Sequence, residues 1–105
     1  MLSDLLKDLQ SLKRLNLADT KVEHIDALSG LTNLQMLNLF RTRVQNVDAL
    51  KSLTALQELY LANAPVENVE PLKNLTGLRE LVLYGIKADN VDEIKAALPN
   101  TRVVW

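Results

Sequence analysis

The chain has no cysteine, one histidine, three glycines, three prolines and 4% aromatic residues in 105 positions. Without thiols it forms neither disulfides nor thiolate metal sites, and one imidazole cannot build a histidine cluster. So few aromatics require an aliphatic core. Twelve basic residues against thirteen acids leave a net charge of -1, which removes the basic footprint of a nucleic-acid binder or of a protein resting on an anionic membrane. No run approaches the roughly 18 apolar residues of a membrane-crossing helix. Met1 to Asp8 carries acids where a signal peptide has a basic and then an apolar stretch. The expectation is a cytoplasmic protein, with secretion by another route left open. The length suits one domain and is too short for two.

What the chain does have is a period. From Leu12 the same residue classes return every 22 positions: LKRLNLADTKVEHIDALSGLTN, LQMLNLFRTRVQNVDALKSLTA, LQELYLANAPVENVEPLKNLTG and LRELVLYGIKADNVDEIKAA. Leucine recurs at 12/34/56/78, 15/37/59/81 and 17/39/61/83, followed by the columns Val22/Val44/Val66/Ala88, Ile25/Val47/Val69/Val91 and Leu28/Leu50/Leu72/Ile94. Within a unit the apolar spacing changes from two to three, which predicts a short strand followed by a tight return limb. One such coil cannot bury its own leucines. Stacked coils merge them into a continuous core with parallel strands along one side.

This pattern resembles the leucine-rich-repeat family, in the 22-residue subclass L-x-x-L-x-L-x-x-[NT]-x-[VI]-x-x-[VI]-x-x-L-x-x-L found in bacterial internalins and relatives of the phosphatase-1 regulator. It covers about nine tenths of the chain. The resemblance implies an α/β repeat solenoid: a short right-handed horseshoe segment with a parallel concave sheet, and a function in protein binding. The family's usual asparagine position holds Thr20, Thr42, Ala64 and Ile86. Its side-chain ladder to the turn backbone is therefore at best half present, and backbone and water are expected to satisfy the turn.

Residues 1–11 are expected to form an N-terminal cap, residues 12–88 the coils and residues 89–105 a C-terminal cap. Leu2, Leu5, Leu6, Leu9 and Leu12 have helical spacing behind Ser3, predicting a capping helix over residues 3–11. Asn90 to Glu93 has capping-box spacing, with Ile94, Ala97 and Leu98 as an apolar stripe before Pro99. A last strand from Arg102 to Trp105 follows, with Trp105 expected to cover the final coil.

Signs of catalysis are missing. His24 shares its column with Asn46, Asn68 and Asn90, and the pattern places no nucleophile beside it. There is no glycine-rich phosphate loop and no Ser/His/Asp order. Asp26, Asp48, Glu70 and Asp92 form an acidic column one to a coil, with Lys51, Lys73 and Lys95 three residues after the last three. This predicts surface ion pairs rather than a metal site, whose ligands must converge in one loop. Asn74-Leu75-Thr76 matches a glycosylation sequon that the repeat itself explains. No enzyme activity, cofactor or metal is expected.

The residues between the inward leucines face out of the sheet, and there the repeats differ. One column reads Asn16, Asn38, Tyr60, Val82 and Val104, and the next reads Ala18, Phe40, Ala62 and Tyr84. With Met36, this gathers the only phenylalanine and both tyrosines onto one face. A cluster of that size matches the largest apolar patches found on monomers, which meet partners. Arg41, Glu58, Arg79, Glu80 and Arg102 are expected to rim it. The partner-binding candidates are Met36, Phe40, Arg41, Tyr60, Val82, Tyr84 and Val104. The expected partner is a protein, with no nucleic acid or membrane involved, and the chain is expected to be a monomer rather than a homodimer. The alternative reading is a designed or trimmed repeat scaffold, or the isolated repeat domain of a larger protein, without a natural partner of its own.

Overall fold

Five three-residue strands run parallel in one sheet, in chain order: β1 (Arg14–Asn16), β2 (Met36–Asn38), β3 (Glu58–Tyr60), β4 (Glu80–Val82) and β5 (Arg102–Val104). They belong to a computed structural model that describes residues 9–105. The register advances by one repeat at each step, so that Leu15, Leu37, Leu59, Leu81 and Val103 lie side by side. Backbone bonding continues past each strand. The amides of Asp19, Arg41 and Asn63 donate to the carbonyls of Phe40, Ala62 and Tyr84 at 2.8–3.0 Å. The residues just beyond the strands are therefore held as firmly as the strands themselves.

The return limbs are 3-10 turns at Asp26–Gly30, Asp48–Ser52 and Glu70–Leu72. The three-residue apolar spacing explains them, because at three residues per turn every third side chain falls on one face. The hydrogen bonds join the apolar residues themselves. In the second coil Leu50 donates to Val47, Leu53 to Leu50 and Leu56 to Leu53, at 2.9–3.1 Å. In the fourth unit the spacing lengthens from Val91–Ile94 to Ile94–Leu98. The limb accordingly becomes an α-helix, α1 (Val91–Ala97), with Leu98 donating to the Ile94 carbonyl at 3.0 Å.

Leu34, Leu37, Leu39, Leu50, Leu53, Leu56, Leu59 and Leu61 have no exposed surface, and the core runs unbroken from Ile25 to Leu98. Each such leucine contributes about 1.5–3 kcal/mol on burial. Leu12, Leu15, Leu17 and Val22 of the first coil are half-buried against it. Among the described residues no buried side-chain polar atom lacks a partner.

The turns are satisfied by side chains in the first two coils and by backbone in the next two. Thr20 and Thr42 donate their hydroxyls to the carbonyls of Leu17 and Leu39. In the other two coils the amides of Ala64 and Ile86 make the equivalent bond to Leu61 and Leu83. On the limbs, Asn46 and Asn68 accept from the amide two residues on and so start the next 3-10 turn.

Several expectations need correction. Asn90 makes no side-chain cap on α1. Its carboxamide instead reaches back one coil to Asn68 and to the Val69 amide, so its column position outweighs the capping-box spacing. Ala97 is exposed because the four-residue step to Leu98 turns it outward. Trp105 leaves 60% of its surface exposed and lies under the Lys95 ammonium, 5.1 Å from its ring centroid. Of the three expected acid–lysine pairs only Glu70–Lys73 is among the ion pairs of the described residues. Most of the helix expected over residues 3–11 lies outside the described residues; Gln10 and Ser11 form a turn.

Candidate functional site: the outer sheet face

In a three-residue strand the middle side chain points to the core and the outer two point away. The outer face is thus a grid. Its first row is Arg14, Met36, Glu58, Glu80 and Arg102, and its second is Asn16, Asn38, Tyr60, Val82 and Val104. Beyond the strands, the ladder-held residues Ala18, Phe40, Ala62 and Tyr84 form a third row. Met36 and Val104 stand on strands β2 and β5, about 14 Å apart at the usual strand spacing.

Phe40 and Tyr84 belong to coils two steps apart, which places their backbones about 9–10 Å from each other. Their rings nevertheless meet, with centroids 6.4 Å apart and planes tilted by 60°. Only Ala62 stands between them. It is small enough for the rings to lean together over it, and it is 1% exposed as a result. Ala62 is therefore the buried floor of the patch rather than part of its surface. Tyr84 remains 44% exposed. Asn38 braces the turn beneath Phe40 by accepting its amide at 3.0 Å. In the next two coils that position becomes Tyr60 and Val82, and the polar brace is replaced by apolar surface.

The turn column after the third row is Asp19, Arg41, Asn63 and Gly85, and all four have positive φ, from 56° to 76°. Aspartate, asparagine and glycine adopt this region readily; arginine does so at a cost of about 1–2 kcal/mol. Arg41 recovers part of that from Asp19, 3.3 Å from its Nε, and from the Phe40 face, 5.9 Å from its guanidinium carbon. It stands at the exposed border of the ring pair.

Glu58 and Glu80, expected at the rim, stand in the first row of the grid on the neighbouring strands β3 and β4, directly opposite each other and half-buried. The Tyr60 hydroxyl donates to Glu58 Oε2 at 2.7 Å. That bond, burial, and the charges of Glu58 and Glu80 push its pKa from 10.0 up to about 12. A phenol with a raised folded-state pKa adds stability that is complete below about 10 and lost as pH climbs through about 12. A Tyr84→Phe chain has Tyr60 as its only tyrosine, and its ultraviolet titration is expected to have a midpoint near 12, which Glu58→Gln returns toward 10.0. A midpoint unmoved by Glu58→Gln would show that the hydrogen bond does not control the phenol.

The limb side offers little chemistry. A shallow cleft of about 370 Å³ is lined by Glu23, His24, Arg43, Gln45, Asn46 and Pro65. The His24 side chain is 88% exposed, 3.9 Å from Glu23, and no serine, threonine or cysteine lines the cleft. Among the described residues no three His, Cys, Asp or Glu side chains group to hold a metal, and no helix is long and apolar enough to cross a membrane.

Models of the leucine-rich repeat match residues 3–44 ("Leucine rich repeat") and 32–74 ("Leucine Rich repeats (2 copies)"). An internalin C2 of Listeria monocytogenes matches 98% of the chain at 35% identity and a TM-score of 0.90, over 45% of its own length. An internalin F from the same bacterium matches 94% of the chain at 24% identity and a TM-score of 0.88, over 29% of its length. A leucine-rich-repeat protein of Leptospira interrogans matches 95% at 22% identity and a TM-score of 0.85, over 27% of its length. The chain spans less than half of each of these proteins. No curated protein matches it. Proteins built on this repeat are generally protein-interaction modules and typically non-enzymatic. The 22-residue period, the parallel register it dictates and these matches together make the chain a member of the leucine-rich-repeat family, with internalin-like coils.

Proposed function

We propose that the chain binds a protein partner through its concave sheet face, with Phe40, Tyr60, Val82 and Tyr84 at the centre and Met36, Arg41 and Val104 around them. The observation that carries this reading is the Phe40–Tyr84 pair. The core is complete beneath it, yet the rings meet across a floor of Ala62 and leave Tyr84 44% exposed. Folding does not require aromatic surface there. Partner surfaces do, because rigid aromatics and arginine carry most of the energy of an interface.

The test is affinity capture from a host lysate with the wild-type chain beside Phe40→Ala/Tyr60→Ala/Tyr84→Ala. The triple variant is expected to keep its circular dichroism spectrum and to lose at least about a hundredfold in affinity for whatever the wild type retains, since each anchor contributes on the order of 2 kcal/mol. A folded triple variant that captures the same partner equally well would refute the assignment. The coverage of 45% of the internalin C2 chain supports a second reading, in which the chain acts as the repeat segment of a larger protein. The binding face is the same in both.

A further inference from the structure

Glu58 and Glu80 are paired across β3 and β4, with their side chains on the same face. Like charges in that relation repel, and a sheet selected for folding alone would avoid them. Compensation within the chain is slight. Arg102 comes to 3.7 Å of Glu80 with its own side chain 77% exposed, a pair that solvent screens heavily. Tyr60 gives Glu58 one hydrogen bond, and a carboxylate has about four acceptor sites. Met36, the other neighbour of Glu58, brings no charge. The first row of the face therefore carries a pair of acids only partly compensated within the chain, beside the ring of Tyr60 in the second row and, in the third, the apolar Phe40–Tyr84 pair.

We propose that the protein segment docking on this face presents a basic side chain, arginine or lysine, whose charged head bridges Glu58 and Glu80 while its stem and an adjoining apolar residue lie on Tyr60 and the Phe40–Tyr84 pair. The complementarity is specific. Carboxylates on neighbouring strands stand about 5 Å apart at their bases, a gap that one guanidinium or ammonium can bridge. An aromatic face beside a cation adds attraction, most strongly where water is excluded. The proposal rests on the concave-face reading and supplies the chemistry of the partner.

The test uses the full chain, isotopically labelled for NMR, titrated with acetyl-Leu-Arg-Leu-amide and with the citrulline peptide that replaces the guanidinium by neutral urea. The arginine peptide is expected to shift the amides of residues 58–60 and 80–82 and to bind at least about tenfold more tightly than the citrulline peptide. Glu58→Gln/Glu80→Gln is expected to erase that difference while melting no lower than wild type. Equal binding of both peptides on the face would overturn the basic-partner proposal and leave the concave-face reading standing. Shifts away from the face, or none with either peptide, would also overturn it, and the concave-face reading would then stand or fall on the triple-alanine capture. A double variant that melts well below wild type would assign the two acids a structural role instead.

Discussion

Leu59→Ala is expected to lower the free energy of unfolding by about 3–4 kcal/mol, and Leu15→Ala, in the same column at the edge of the sheet, by about half as much. Leu59 has no exposed surface and lies between Leu37 and Leu81 in the register. The backbone around it is fixed by ladder hydrogen bonds on both sides, so the void left by alanine cannot collapse, and the cavity adds to the lost transfer energy. Leu15 is only half-buried and pairs with Leu37 on one side. A chain of this length has on the order of 5–15 kcal/mol of stability in all, so the central substitution removes a large share. Urea unfolding followed by circular dichroism measures both variants. Equal losses would mean that burial does not grade from the first coil to the third.

The inward leucines were legible because their period is enforced by contact: each must meet its equivalent one coil away, so 15, 37, 59 and 81 must agree. The tight return limbs were legible for the same reason, through the three-residue step, and the structure resolves them as 3-10 turns. Outward positions carry no such constraint, and there the sequence misleads. Ala62 reads as surface by its column, yet two flanking rings bury it. Glu58 and Glu80 read as rim because they are charged, but their column does not reveal that the register sets the two like charges directly opposite each other on β3 and β4. Asn90 has a capping residue's spacing but spends its carboxamide on the coil before. The positive-φ column was written in the sequence as Asp19, Asn63 and Gly85, and Arg41 obscured it. That exception points back to the site, since backbone strain accepted by an arginine coincides with the border of the ring pair.

The same turn column supports the second large effect, which has the opposite logic to the leucines because it depends on backbone conformation rather than buried area. Gly85→Val is expected to lose about 2–3 kcal/mol. Its φ of 76° suits glycine, and a β-branched residue there is an outlier. A Cβ at this position would also lie 2.1 Å from Asn63 Oδ1 and 3.1 Å from its Cγ, so the carboxamide must move. Two further variants separate these causes. Gly85→Asn tolerates the conformation and meets only the overlap, for an expected loss of about 1 kcal/mol. Adding Asn63→Gly to Gly85→Val removes the overlap and leaves the conformational part, so the pair should be non-additive by about 1 kcal/mol in urea unfolding. Strict additivity would show that the Asn63 side chain is not what the new residue meets. The site should register the change as well. The Tyr84 carbonyl is tied to the Asn63 amide at 3.0 Å immediately before this turn. Forcing the turn therefore displaces Tyr84 from Phe40, and Gly85→Val should weaken partner capture without altering any residue of the face.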